Sequence, residues 1–116
     1  MAGTASSTSA SIPYWFAVPG SDPVGIAILY QDYTDAAGSL SNEAVVFRIT
    51  DVAGLPYTGS LIPTVTMSVG GGKIRSKYQA GDIPGTYAVD IRAGSSLMEI
   101  DIVVGGVTQA VFIGVN

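Results

Sequence analysis

The 116-residue chain predicts an all-β fold, an antiparallel β-sandwich of seven or eight strands with essentially no helix. Three observations predict it. Apolar and polar residues alternate with period two over most of the chain, the pattern of strands buried on one face. Turn signals recur about every ten residues, the spacing of a sandwich. No window of about eleven residues carries apolar side chains at the 3.6-residue period of a helix.

Taken in order, residues 1–11 are mostly Ala, Ser, Thr and Gly and have neither a basic region nor an apolar block. They read as a flexible linker and not as a signal peptide, so the chain is expected to come from a longer polypeptide. A single domain is expected over residues 12–116, a common domain size. Ile12-Pro13-Tyr14-Trp15-Phe16-Ala17-Val18-Pro19 gathers its aromatics between prolines, which exclude a central strand and suggest an edge strand or strap. Residues 24–30 put Val24, Ile26, Ile28 and Tyr30 on one face. Residues 32–38 read as a loop. Residues 43–50 turn Val45, Phe47 and Ile49 inward and Val46, Arg48 and Thr50 outward.

Asp51-Val52-Ala53-Gly54-Leu55-Pro56 is a turn, with Asp51 suited to local capping and Gly54 to left-handed backbone. Residues 61–69 alternate Leu61, Pro63, Val65, Met67 and Val69 against Thr64, Thr66 and Ser68. Gly70-Gly71-Gly72 is a hinge; it lacks the following helix and the Gly-Lys-Ser/Thr ending of a phosphate loop. Residues 73–78 alternate with Lys73, Arg75 and Lys77 on one face. Residues 85–93 bury Tyr87, Val89 and Ile91 and expose Thr86, Asp90 and Arg92. Residues 96–104 bury Met98, Ile100, Ile102 and Val104, with Glu99 and Asp101 outward. Gly105-Gly106 is a two-residue hairpin turn, and residues 107–115 return with Val111, Ile113 and Val115 on one face.

The most telling segment is residues 82–91. Asp82, the Pro84-Gly85 turn, Tyr87 and strict alternation after it match a strand entering an immunoglobulin-like sandwich. A tyrosine there can pack its ring inward and return its hydroxyl to the backbone at a corner. In that reading Gly85 makes the turn, Tyr87 the corner, and Asp82 caps the turn.

Composition narrows the function. Net charge is −4 with only five cations, so there is no electrostatic footprint for nucleic acid. With no histidine and no cysteine, the chain lacks the commonest general base, the commonest metal ligand, thiolate chemistry and disulfides. No Ser-x-x-Lys and no Gly-x-Ser-x-Gly occurs. These absences argue for a non-enzymatic domain without a cofactor. No apolar run reaches the length of a membrane helix, so no membrane insertion is expected.

The segments Phe47-Arg48-Ile49-Thr50-Asp51-Val52-Ala53-Gly54-Leu55-Pro56, Pro63-Thr64-Val65-Thr66 with the following Gly70-Gly71-Gly72, and Pro84-Gly85-Thr86-Tyr87-Ala88-Val89 together resemble bacterial Ig-like domains of the invasin/intimin group. Filamin-type repeats share the Pro-Gly-x-Tyr-x-Val step. The aromatic segment between Pro13 and Pro19 is similar to accessory domains of large secreted bacterial proteins, subtilisin-like proteases among them. The resemblance implies an extracellular or cell-surface spacer whose partners are the neighbouring domains of its parent polypeptide. The alternative is an adhesion module binding a surface glycan or protein. The Gly105-Gly106 hairpin adds a strand after the one that often ends such domains.

Three constellations could carry binding. Tyr14, Trp15 and Phe16 could form a platform for a sugar ring, against the alternative of packing over one end of the sandwich. Asp32 and Asp35 lack the close alternate carboxylates of a calcium loop and read as capping or solvated residues. Lys73, Arg75 and Lys77 form a basic ribbon that suits edge protection better than an anion site. Structural roles fall to Asp51, Gly54, Asp82, Gly85, Tyr87, Gly105 and Gly106.

Overall fold

The computed structural model describes residues 22–116. The expected linker and the Tyr14-Trp15-Phe16 cluster lie outside them. The described residues form eight strands: β1 Pro23–Gln31, β2 Thr34–Asp35, β3 Leu40–Asp51, β4 Thr64–Val69, β5 Lys73–Gln79, β6 Thr86–Arg92, β7 Met98–Val104 and β8 Val107–Val115. There is no helix among the described residues. Two four-stranded sheets form, in the orders β1-β3-β6-β5 and β2-β8-β7-β4. Lettered as in immunoglobulin domains, these are A-B-E-D and G-F-C, with β2 added beside the last strand.

The core lies between the sheets. β3 supplies Val45, Phe47 and Ile49, β6 supplies Val89 and Ile91, β7 supplies Met98, Ile100, Ile102 and Val104, and β8 supplies Val111 and Ile113, all buried. Each fully buried aliphatic or aromatic side chain contributes about 1.5–3 kcal/mol. The central strands therefore hold the sandwich, and their alternation is as the sequence predicts. Gly105 and Gly106, at φ 52° and 87°, close the β7–β8 hairpin with both turn residues left-handed, as a type I′ turn requires.

The departures lie at edges and corners. In β1 the register shifts between Pro23 and Gly25 and between Ile28 and Tyr30. Each bulge inserts a residue and reverses the facing of the side chains beyond it. Ile26 and Ile28 therefore pack on the core, whereas Val24 and Tyr30 are exposed. A shift between Ile74 and Ser76 does the same in β5. Lys73 and Arg75 are exposed, but Lys77 pairs with core Val89 and donates from Nζ to Pro63 O. The basic ribbon is thus broken. Leu61, Ile62 and Pro63 precede β4 instead of forming part of it, and Val69 is exposed beyond a shift after Met67. The loop expected over residues 32–38 contains β2, which pairs in parallel with β8 through Thr34–Gly114 and Asp35–Val115.

Tyr87 lies on β6, the E position, and not at the start of F where a tyrosine corner belongs. Its ring stacks on Phe47 with centroids 5.7 Å apart, but it is only half-buried, and its hydroxyl has no hydrogen-bond partner among the described residues. The hydroxyl-to-backbone bond is made by another tyrosine. Tyr57 is buried in the β3–β4 connection, and its Oη accepts the Leu61 N–H at 3.1 Å. Thr86, expected outside, is buried, because Arg48 covers it and donates from Nε to Thr86 Oγ1 at 3.0 Å.

Candidate functional site

Four groups of residues could carry function: the corner around Tyr57, the outer face of the first sheet, the β2 crossover and the outer face of the second sheet.

The corner is a structural device. Asp51 is buried, and its Oδ1 accepts the N–H groups of Ala53 at 2.9 Å and Leu55 at 3.0 Å. Gly54, at φ 78°, closes the turn, with its N–H on Asp51 O at 2.9 Å. Ile49 sits between the two strand ends: its N–H binds Gly85 O and its O accepts the Tyr57 N–H, both at 2.8 Å. Gly85 has φ 73°, and a Cβ there would stand 2.8 Å from Tyr57 O. Only glycine fits that backbone and that space. Asp82 takes no part; it is exposed and makes no side-chain hydrogen bond among the described residues. Asp51 does the capping, since it alone lies at the corner with its carboxylate aimed at free N–H groups.

On the outer face of the first sheet, strand pairing aligns Tyr30, Val46, Ala88 and Tyr78 in one row across four strands. The two tyrosines are exposed and both hydroxyls are tethered, Tyr30 Oη to Asp32 Oδ1 at 2.9 Å and Tyr78 Oη to Asp90 Oδ1 at 3.1 Å. Asp90 also accepts the Glu43 N–H at 2.8 Å and the Ser76 hydroxyl at 2.9 Å. The Glu43 N–H, then Ser76, Tyr78 and the Arg75 charge, hold the Asp90 carboxyl below its ordinary range against the opposing effect of burial. Glu43 is the one non-glycine residue with positive φ among the described residues, at 54°. That conformation costs about 1–2 kcal/mol, and the Asp90 carboxylate takes up the N–H that the β3 bulge releases. The result is a fixed polar and aromatic surface.

At the β2 crossover, Asp32 Oδ2 accepts the Ser41 hydroxyl at 2.6 Å. Asp35 Oδ2 is buried without a hydrogen-bond partner among the described residues. Burial, then a hydrogen bond to Asp32 and the Asp32 charge, push the Asp35 carboxyl up to about 6. Both facts fit a carboxyl that keeps its proton to a higher pH than usual. Among the described residues no three His, Cys, Asp or Glu side chains converge to hold a metal.

The outer face of the second sheet places Glu99 and Asp101 beside exposed Val69, Val103 and Phe112. A hydrogen bond to Asp101, then burial and the Asp101 charge, raise the Glu99 carboxyl. All five cations of the chain lie on the other sheet.

Of the residues singled out from the sequence, the structure gathers Asp51, Gly54 and Gly85 at one corner. It puts Gly105 and Gly106 in the hairpin and Tyr87 on the core margin. Sequence reasoning missed Tyr57, Glu43 and Asp90. Tyr57 had a usable signal, an aromatic directly after the Asp51–Pro56 turn; the Glu43–Asp90 bond had none, because its partners are 47 residues apart.

No protein-family model matches the chain, and no curated protein matches its sequence. Among solved structures, the fold is similar to domains 4 and 5 of the S-layer protein SbsC, with a TM-score of 0.63 and 20% identity over 81% of this chain. It is also similar to SbsC domains 1–6, with a TM-score of 0.62 and 21% identity, and to domains 4–9, with a TM-score of 0.58 and 22% identity. The chain spans about half the length of the first of these, 53%, and 13% and 14% of the other two. At this identity the likeness is one of fold.

Proposed function

We propose that this domain is a non-catalytic structural module, a spacer within a larger secreted or cell-surface bacterial protein. The observation that carries the reading is that the described residues begin and finish at opposite ends of the sandwich. Pro23 sits against Gly105, at the hairpin end of the sandwich, so Asp22 lies at that end. β8 then runs nine residues away from the hairpin to Val115, roughly 27–30 Å of extended chain. Among the described residues, Asp22 and Val115 thus lie at opposite ends of the sandwich, an arrangement that suits a domain in a linear series. The fold's likeness to single domains within multidomain stretches of a surface layer protein supports the same role.

The test is to recover the full-length polypeptide from its source and probe intact cells by surface proteolysis. The domain is expected in tandem with others, exposed on the cell, and removable without unfolding its neighbours. A polypeptide that carries no further domain, or that stays inside the cell, would overturn the reading.

A further inference from the structure

Among the described residues the sandwich has four sheet edges, and three carry features that discourage further pairing. β2 has two residues. β1 is interrupted by two register shifts. β5 carries Lys73, Arg75, a register shift and an inward Lys77. Short strands, bulges and inward charges are the devices that keep edges from recruiting other chains. β4 differs. Thr64-Val65-Thr66-Met67-Ser68-Val69 has no charge and no proline, and its one register shift comes after Met67. It pairs with β7 on one side and, among the described residues, ends its sheet on the other. The lysine that crosses from β5 reaches Pro63, the residue before the strand.

We infer that β4 is a self-association edge, on which the β4 of a second copy pairs antiparallel about a two-fold axis through Thr66. The register is set by the faces. Val65 and Met67 pair with buried Ile102 and Ile100 and so face the core side, while Thr64 and Thr66 pair with Val103 and Asp101 on the outer side. A two-fold at Thr66 opposes Val65 to Met67 and Thr66 to its own copy, while Ser68, the bulged residue whose hydroxyl donates to Glu99 O, stays outside the regular ladder. Apolar then meets apolar and hydroxyl meets hydroxyl, the pairings that stabilise a ladder. A slip of one residue opposes Val65 to a hydroxyl and loses the match.

Charge does not forbid it, although each copy carries −4. β4 itself is neutral, and the carboxylate beside the axis is Asp101 on β7. Two copies of Asp101 stand three strand spacings apart, about 14 Å, beyond the roughly 8 Å over which charges interact at physiological salt. A second copy joins the two sheets into one eight-stranded sheet. A single edge contact falls below the size of a standard interface, so the association is weak and strengthens with salt.

The test is sedimentation equilibrium of the full chain from about 10 μM to about 1 mM, the range of weak complexes. A reversible dimer is expected. Thr66 is exposed, so Thr66→Lys and Thr66→Glu should each keep the fold, checked by circular dichroism and melting. Each should weaken association at least about tenfold by placing like charges on the axis. An equimolar mixture of the two should recover it. A wild-type chain that stays monomeric throughout, or single variants that associate like wild type, would overturn the proposal. A folded mixture that stays monomeric would overturn the register.

Discussion

Replacing Tyr57 by phenylalanine removes one oxygen from the core and leaves the ring in place. Tyr57 is 4% exposed, and its Oη is the acceptor for the Leu61 N–H at 3.1 Å. An intramolecular hydrogen bond contributes about 1 kcal/mol net, and a part-buried donor left without its partner adds up to about 1 kcal/mol of lost solvation. Tyr57→Phe should therefore cost about 1–2 kcal/mol. For a domain of this size that is a fall in Tm of roughly 4–15 °C. Tyr87→Phe is the matched control: its hydroxyl has no partner among the described residues, and its stacking on Phe47 at 5.7 Å survives the change. It should shift stability by less than about 0.5 kcal/mol. Urea unfolding of both variants with an unchanged m-value measures the difference directly. A neutral Tyr57→Phe beside a destabilised Tyr87→Phe would refute the assignment of the corner to Tyr57.

Gly85→Ala should cost more than about 2 kcal/mol by the same assay, since it strains a left-handed backbone at φ 73° and drives a Cβ to 2.8 Å from Tyr57 O. Asp51→Ala, which strips the acceptor from the Ala53 and Leu55 N–H groups, should lose about 2–3 kcal/mol; an unchanged unfolding midpoint would show that the turn holds without its cap. The Asp35 carboxyl, raised to about 6, binds its proton more tightly in the folded state than the ordinary carboxyl of the unfolded chain. Its contribution to stability is thus fully present below about pH 4 and lost as the pH rises through 6. Melts across that window should show Asp35→Asn gaining on wild type as pH rises, and a pH-independent gap would rule the raised carboxyl out. If the domain binds glycans through its N-terminal aromatics, Trp15→Ala should abolish polysaccharide pull-down with the fold intact; the spacer reading expects no binding by either chain.

The strands of the core were legible because alternation is a local property. Val45, Phe47 and Ile49, or Met98, Ile100 and Ile102, sit two residues apart, and backbone geometry alone sends them to one face. The Gly105-Gly106 turn was legible for the same reason, since two adjacent glycines suffice for a left-handed pair. The corner at Asp51 was legible because its partners Ala53 and Leu55 lie within four residues.

What only the tertiary structure decided depends on pairing between distant strands. The bulges in β1 and β5 arise from how those edges twist against β3 and β6, and each one reverses the side chains beyond it. Hence Tyr30 stands outside and Lys77 inside, against their alternation. The sequence marked Tyr87 as the corner tyrosine from its neighbours, but a corner is defined by where the chain passes from one sheet to the other. Tyr57 occupies such a passage, between β3 in one sheet and β4 in the other, and Tyr87 lies within a strand. Asp90 reaches Glu43 only after β3 and β6 have aligned. The chain by itself determined a β-sandwich and its two inner faces. Sheet order, edge register and the choice among its tyrosines came from contacts that no short window of sequence contains.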